Sequence, residues 1–114
     1  MRTRDTEIGF EICQELWEGV TTGAMEALDG AEIICNGSGS HHKLRKLNRR
    51  IELIRNHISK VGGVYVFANE LGGDGGRLYF DGGSLIGANG NFYAITPQFS
   101  VNDVEVTAAT IDLS

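Results

Sequence analysis

The chain has 114 residues, 41% hydrophobic and 22% charged, a composition typical of one soluble domain and unlike that of a disordered segment. Its net charge of −5 argues against nucleic acid as the main partner, and no apolar run approaches the roughly 20 residues of a membrane-spanning helix. Two cysteines are too few for a disulfide framework, so we expect free thiols in the reducing cytoplasm.

The first part of the chain predicts a strand, a helix and a second strand. The strand EIGFEIC ends at or near Cys13, and the β-branched run AEIICN is typical of a buried strand. Between them, QELWEGVTTGAMEALDG is predicted to be helical and to end at Asp29-Gly30. Its apolar residues at loosely helical spacing are Val20, Ala24, Ala27 and Leu28.

The clearest periodicity in the sequence lies between residues 44 and 61. Steps of three and four place Leu44, Leu47, Ile51, Ile54, Ile58 and Val61 on one helix face. Gly62-Gly63 ends this helix, and Ser40, in the small polar loop GSGSHH, is a candidate N-cap or part of an anion-binding turn. The basic residues of 43–60 predict a solvated face, or one that meets an acidic partner, rather than a nucleic-acid or membrane site.

The remaining elements complete an α/β fold. VYVFAN is apolar throughout, which is typical of a strand covered on both faces. Alternation of strands and helices to this point predicts parallel strands joined by crossover helices. GGDGG is interpreted as a loop, Asn89-Gly90 predicts a tight hairpin, and the alternating DVEVTAATIDL predicts a last strand. We therefore expect a βαβαβ unit followed by antiparallel strands.

Cysteines and histidines are the candidate chemical groups. Cys13 follows a strand at the rim where α/β folds build their sites, so it is a candidate nucleophile, although position alone favours a small buried hydrophobe. Cys35 is interpreted as buried. His41-His42 are interpreted as polar loop residues, because adjacent histidines point in different directions and neither cysteine stands at zinc-finger spacing. No metal site is predicted.

Four segments taken in order resemble a known family. They are EICQELW, GAEIICNGSGSHHKLRKLNRR, GGVYVFANELGGDGGRLYFDGGSLIGANGNFYA and QFSVNDVEVTAATIDL. Together they resemble the glutaminase domains of glutamine-dependent NAD synthetases, in the carbon–nitrogen hydrolase (nitrilase) superfamily, from about Gly9 to Leu113. The resemblance implies a partial αββα sandwich, in which residues 1–114 are the C-terminal half of the glutaminase domain and the synthetase domain is absent.

The resemblance also implies residue roles. Cys13 would attack the side-chain amide of glutamine, release ammonia and form a thioester. Ser40 matches the position that holds the glutamine substrate. Lys46, or Arg45 beside it, matches a cation for the substrate's α-carboxylate, and Trp17 would line the pocket next to the nucleophile. A thiol with an ordinary pKa near 8.5 needs a base or a positive environment to ionise at neutral pH. A carboxylate-binding cation at the start of the helix suits an amino-acid substrate.

The chain departs from the family's pattern in two respects. The Glu base and the Lys of the family's triad are supplied by the first half of the domain, and Glu11, Glu15 and Lys43 do not match them. Gln14 stands where Glu is expected after the nucleophile; a neutral amide there would weaken a contact to the substrate's α-ammonium group. We therefore expect the isolated chain to lack glutaminase activity.

The partners implied by the resemblance are glutamine, the other half of the glutaminase domain and the synthetase domain. No cofactor is implied for this segment, since ATP and Mg²⁺ would act in the synthetase domain, where nicotinic acid adenine dinucleotide becomes NAD in an oligomeric parent enzyme. Two alternatives stay open. One is a nitrilase-type amidase acting on another small amide, against which SGSHH and RLYFDG count; the other is a non-catalytic module that docks onto a full-length homologue.

Overall fold

The computed structural model describes residues 1–113. The strands are β1 (Ile8–Ile12), β2 (Ile33–Ser38), β3 (Val64–Asn69), β4 (Leu71–Gly73), β5 (Tyr79–Asp81), β6 (Ser84–Ala88) and β7 (Asn91–Ile95). The helices are a 3-10 helix (Cys13–Trp17), α1 (Thr22–Leu28) and α2 (Lys46–Lys60). No helix in residues 1–113 is long and apolar enough to cross a membrane.

One five-stranded mixed sheet organises the molecule, in the order β1-β2-β3-β6-β7. The first three strands are parallel, and β6 and β7 join them antiparallel, as the order of elements predicted. The predicted hairpin is confirmed: Asn89 and Gly90 have φ of 50° and 84°, the pair of positive values that a tight two-residue turn requires. A separate hairpin pairs β4 with β5.

Both α-helices pack on the same face of the sheet. A Cβ added at Gly23 of α1 would meet Glu11 of β1 and Ile34 of β2, so α1 lies against these strands. The apolar stripe of α2 packs on the same side of the sheet, against β3 and β6. The buried core residues are Leu16, Ile34, Ile54, Ile58, Tyr65, Phe67 and Leu85. The predicted helical register of α2 is therefore confirmed from Leu47 onwards.

The opposite face of the sheet is largely uncovered. The strand register aligns Phe10, Cys35, Val66 and Ile86 in one row across this side, next to Ile12. We call these five residues the open face. Phe10 and Ile12 are 53% and 70% exposed, and Cys35, Val66 and Ile86 are half-buried. The coverage that we expected on both faces of β3 holds at Val64 but not at Ala68.

Three predicted elements differ in the structure. The helical segment of 14–30 divides into the 3-10 helix and α1, and α2 begins at Lys46, which leaves Leu44 89% exposed. DVEVTAATIDL forms no strand within residues 103–113, where Val104 and Val106 are 74% and 84% exposed. An alternating segment becomes a strand only when it pairs with another strand, and this segment pairs with none of the described strands, although β1 and β7 are edge strands of the sheet.

Candidate active site

The carboxyl ends of β1, β2 and β3 meet at one edge of the sheet, and three polar groups lie there. Cys13 follows β1 directly, Ser40 lies just beyond β2, and Asn69 ends β3. Because the strands are parallel and adjacent, the fold brings these residues together from distant parts of the sequence. We call this edge the rim.

Cys13 stands on a strained strand-to-helix turn. Its φ is +45°, which is uncommon for any residue with a side chain. Its main-chain N–H donates to the Oδ1 atom of Asn36 at 3.2 Å, and the thiol is half-buried and unpaired with Cys35. A left-handed non-glycine residue at a strand end is the geometry that exposes a nucleophile above a sheet. Cys13 is therefore not a sealed core residue.

A buried polar network lies beneath Cys13. Glu11, 1% exposed, accepts hydrogen bonds from the N–H of Gly23 (2.7 Å), the amide of Asn36 (3.4 Å) and the hydroxyl of Tyr65. Burial raises the pKa of Tyr65, and its hydrogen bond to the Glu11 carboxylate raises it further, so Tyr65 stays protonated and donates. The side-chain hydroxyl of Ser38 donates to Asn36 Oδ1 at 2.7 Å.

Lys46 is a cation at the rim, and it contacts the last residue of the 3-10 helix that begins at Cys13. Its Nζ lies 5.4 Å from the centre of the Trp17 ring, a cation–π distance that holds both side chains at the rim. Partial burial lowers the pKa of Lys46, the charges of Arg50 and Lys43 lower it further, and the Cys13 group acts in the opposite direction. The structure thus places the Lys46 ammonium against Trp17, four residues after Cys13.

Arg45 and Gln14 lie further out. Arg45 is exposed and takes the N-cap position of α2 with φ of +66° and no side-chain cap bond. Gln14 is exposed, and its amide donates to Glu18 at 3.4 Å. Of the two cations considered from the sequence, Lys46 is thus the one turned towards the rim.

Ser40 is not the N-cap of α2, because Arg45 takes that position and five residues separate Ser40 from the helix. Asn69 instead fixes the Ser40 main chain: its Oδ1 accepts the Ser40 N–H (2.8 Å), and its Nδ2 donates to the Ser40 carbonyl (3.1 Å). Ser40 is 4% exposed, and its Oγ has no hydrogen-bond partner among the described residues. The anion-binding turn expected at this helix start is therefore not formed by Ser40.

The interpretation of the basic face as solvated is wrong for Arg50. This residue is 1% exposed, and its Nη2 donates to Asp81 Oδ1 at 3.2 Å. Asp81 also accepts from Asn69 (3.1 Å) and from Gln98. Burial raises the pKa of Asp81, but the hydrogen bonds from Arg50 and Gln98 and the Arg50 charge outweigh burial and hold it below its ordinary range.

The remaining candidates occupy supporting positions. The main-chain N–H of His42 donates to the Tyr79 carbonyl at 2.7 Å, and His41 bridges to Phe80, so both histidines tie their loop to β5. Cys35 is half-buried on the open face rather than fully buried, and burial raises its pKa. The sequence prediction missed Asn36, Asn69 and the Arg50–Asp81 pair; the signal for Asn36 is a polar residue that alternates with Ile34 on the inward side of β2.

Residues 1–114 match the family model described as carbon–nitrogen hydrolase. The chain is 53% identical over 109 residues to a glutamine-dependent NAD(+) synthetase of Saccharomyces cerevisiae, and 52% identical over 113 residues to that of Macaca fascicularis. These alignments cover 96% and 99% of this chain but only 15% and 16% of the relatives, so the chain spans about one sixth of their length.

A solved structure gives the same result. The fold matches the crystal structure of a glutamine-dependent NAD(+) synthetase from Cytophaga hutchinsonii with a TM-score of 0.78 and 29% identity, over 90% of this chain and 16% of that one. One helix layer on one sheet is half of the four-layer sandwich that the resemblance implied, so the expected partial nitrilase-type fold is confirmed. The chain belongs to the carbon–nitrogen hydrolase family.

Proposed function

We propose that this chain is the cysteine-bearing part of a glutamine amidohydrolase, the ammonia-producing domain of a cytoplasmic glutamine-dependent NAD synthetase. The observation that carries the proposal is the left-handed Cys13 at the rim, with the Lys46 ammonium against Trp17 of the same 3-10 helix. The chain is 52% identical over 113 residues to a glutamine-dependent NAD(+) synthetase. A thiol presented by a strained turn next to a cation has the two features that an activated cysteine nucleophile needs.

In the proposed reaction the Cys13 sulfur, as thiolate, attacks the side-chain amide carbon of glutamine. The tetrahedral intermediate collapses, the carbon–nitrogen bond breaks, and the nitrogen leaves as ammonia after it takes up a proton. The resulting thioester is attacked by water, which releases glutamate and restores the thiol. Lys46 would bind the substrate's α-carboxylate, Ser40 would hold the substrate through its unpartnered hydroxyl, and Trp17 would form the pocket wall.

The proton acceptor for this reaction would come from outside the chain. The two carboxylates nearest Cys13 in sequence have structural roles: Glu11 is enclosed by its three donors, and Glu15 accepts from the Ile12 N–H at 2.5 Å and the Thr22 hydroxyl at 2.9 Å. We infer that the other half of the glutaminase domain packs on the open face and supplies the acid–base residue. Ammonia would then pass to a synthetase domain of the oligomeric enzyme, which uses ATP and Mg²⁺ to convert nicotinic acid adenine dinucleotide to NAD.

Reconstitution tests this proposal. The purified chain is mixed with the separately produced preceding half of the glutaminase domain of the Saccharomyces cerevisiae relative, and glutamate release from glutamine is measured. We expect no activity from either piece alone and measurable activity from the mixture. Cys13→Ala should abolish this activity, whereas Cys35→Ala, the matched removal of the other thiol, should retain it.

Two results would contradict the assignment. Activity that survives Cys13→Ala would show that another group is the nucleophile. A stable complex of the two halves, shown by size-exclusion chromatography, that hydrolyses no glutamine would favour the non-catalytic docking module. The exposed Phe10 and Ile12 of the open face favour that second candidate, because a docking surface needs such apolar area whether or not chemistry follows.

A further inference from the structure

We propose that Asn36 is a positioning residue for Cys13: its side-chain amide holds the Cys13 main chain in the left-handed conformation that presents the sulfur at the rim. This inference rests on the proposed function, because it concerns the proposed nucleophile. The strand ladder pairs Ile12 with Gly37 and ends there, so the next N–H, that of Cys13, has no strand partner. Asn36 Oδ1 takes that place at 3.2 Å.

The orientation of the Asn36 amide is determined by its neighbours. Its Nδ2 donates to the Tyr65 hydroxyl at 2.9 Å and to Glu11 at 3.4 Å, and an ionised carboxylate is purely an acceptor. The oxygen must therefore face the other way, where it accepts from Cys13 and from Ser38. Both donors and both acceptor positions of the amide are used, and the group is 2% exposed, so it has one orientation.

Glu11 in turn is anchored by α1. The N–H of Gly23, in the first turn of that helix, donates to the second oxygen of Glu11 at 2.7 Å. A Cβ at position 23 would lie 2.9 Å from the same oxygen, so the close approach of helix and carboxylate requires glycine. The contacts thus connect α1 through Glu11 and Asn36 to the main chain of Cys13.

This arrangement has a consequence for reactivity. A non-glycine residue with φ near +45° persists only where its surroundings hold it there. Without the Asn36 oxygen, Cys13 would relax towards an ordinary extended conformation, and its sulfur would lose its fixed position at the rim. Because the Cys13 N–H is already bonded, it also does not serve as a donor to an oxyanion, which leaves that task to other groups at the rim.

The test measures how fast iodoacetamide alkylates Cys13 and Cys35 in the full chain, with both rates obtained from the same digest by peptide mass spectrometry. Asn36→Leu should slow alkylation of Cys13 about tenfold, the effect of one lost hydrogen bond of ordinary strength. Cys35 is the internal reference: general unfolding would accelerate its reaction, whereas loss of positioning should leave it within about twofold. Asn56→Leu, the same change at an exposed asparagine, should alter neither rate.

Asn36→Asp provides a readout that a merely structural role would not move. The introduced carboxyl group faces two side chains, Glu11 on β1 and the hydroxyl of Tyr65 on β3. The His57 ring of α2 lies in edge contact with Tyr65. When protonated, it is nearly isosteric with asparagine and can again donate to Glu11; when ionised, it repels Glu11. The alkylation rate of Cys13 in Asn36→Asp, divided by its rate in the wild type at the same pH, should therefore rise towards one as the pH falls from 8 to 5.

Two results would overturn the inference. One is an unchanged ratio of Cys13 to Cys35 alkylation rates in Asn36→Leu, whether neither rate changes or both change equally; the other is a pH-independent ratio of variant to wild-type Cys13 rates in Asn36→Asp. None of these measurements requires glutamine turnover. Failure of the reconstituted glutaminase would therefore leave them valid, and the two proposals can fail separately.

Discussion

The Asp81→Asn substitution removes one negative charge from the interior and leaves the guanidinium of Arg50, 1% exposed, without its counter-ion. Removal of one partner from a buried ion pair typically costs about 3 to 5 kcal/mol, because the remaining charge stays desolvated. Asparagine keeps an oxygen that can accept from Arg50 and Asn69, so we expect the lower end of that range. A loss of about 3 kcal/mol is a large fraction of the roughly 5 to 15 kcal/mol that stabilises a domain.

The assay is urea denaturation at pH 7, followed by far-ultraviolet circular dichroism at low protein concentration. With a slope between about 1 and 3 kcal/mol per molar urea, the midpoint should fall by about 1 to 3 M. Asp5→Asn is the matched control. It breaks the Arg4–Asp5 pair, which has a similar distance of 3.1 Å, but the two side chains are 91% and 76% exposed, so the expected loss is below about 1 kcal/mol.

A second variant identifies the origin of the loss. If an unpaired buried charge is the cause, adding Arg50→Met to Asp81→Asn should recover stability, since the double variant carries no orphaned cation. Equal midpoints for Asp81→Asn and Asp5→Asn would refute the reasoning. So would a double variant less stable than Asp81→Asn alone, because the Arg50 side chain would then contribute through packing rather than through charge.

Three further predictions concern acid stability, the open face and a glycine turn. The pKa of Asp81 in the folded protein lies below its unfolded value of about 3.9. The stability that the ionised Asp81 contributes is therefore complete above about pH 3.9 and is lost as the pH falls through the folded pKa. Urea midpoints measured down to pH 3 should fall more steeply for wild type than for Asp81→Asn. Phe10→Lys, on the open face, should reduce self-association measured by sedimentation velocity. Leu44→Lys, which also replaces an exposed apolar side chain by lysine, should not, because Leu44 lies before α2 and is 89% exposed. Equal effects of the two variants would exclude the open face as the contact surface. Gly63→Ala should lower the free energy of unfolding by about 1 to 3 kcal/mol more than Gly62→Ala, and so should give the lower melting temperature. Both glycines have φ near 70° (72° and 71°), but the added methyl would lie 2.5 Å from a carbonyl oxygen at position 63 and 3.9 Å from a side-chain oxygen at position 62. Equal melting temperatures would contradict this reasoning.

Local patterns predicted most of the fold because they report on burial within one element. The three-and-four spacing from Leu47 to Val61 requires one apolar helix face, and the structure places that face on the sheet. Asn89-Gly90 predicted its hairpin because few other dipeptides adopt two positive φ values cheaply. The position of Cys13 at the rim followed from the order of the elements, since the first strand of a βαβ unit ends at the same edge as the second.

Features that depend on distant partners were not predictable in this way. Arg50 looks like its exposed neighbours along the helix, and its burial is decided by Asp81, 31 residues later. The alternation in DVEVTAATIDL indicates a strand, but a strand also needs a pairing partner, and this segment pairs with neither β1 nor β7, the edge strands of the five-stranded sheet. The left-handed turn at Cys13 depends on Asn36 across the ladder, and no pattern near Cys13 records that contact.

Cys13 is held by a hydrogen bond from its main-chain N–H and not by its sulfur. The conformation of the turn and the chemistry of the side chain at this position can therefore be changed separately. The thiol can be exchanged without loss of the hydrogen bond to Asn36, so Cys13→Ala and Cys13→Ser should fold like the parent. They are therefore suitable variants for testing the proposed nucleophile without disturbing the turn. Proline lacks the N–H and cannot adopt the required φ, so it is the replacement that the turn rejects. Asparagine and glycine, which tolerate left-handed backbone, are the replacements that should preserve the turn best.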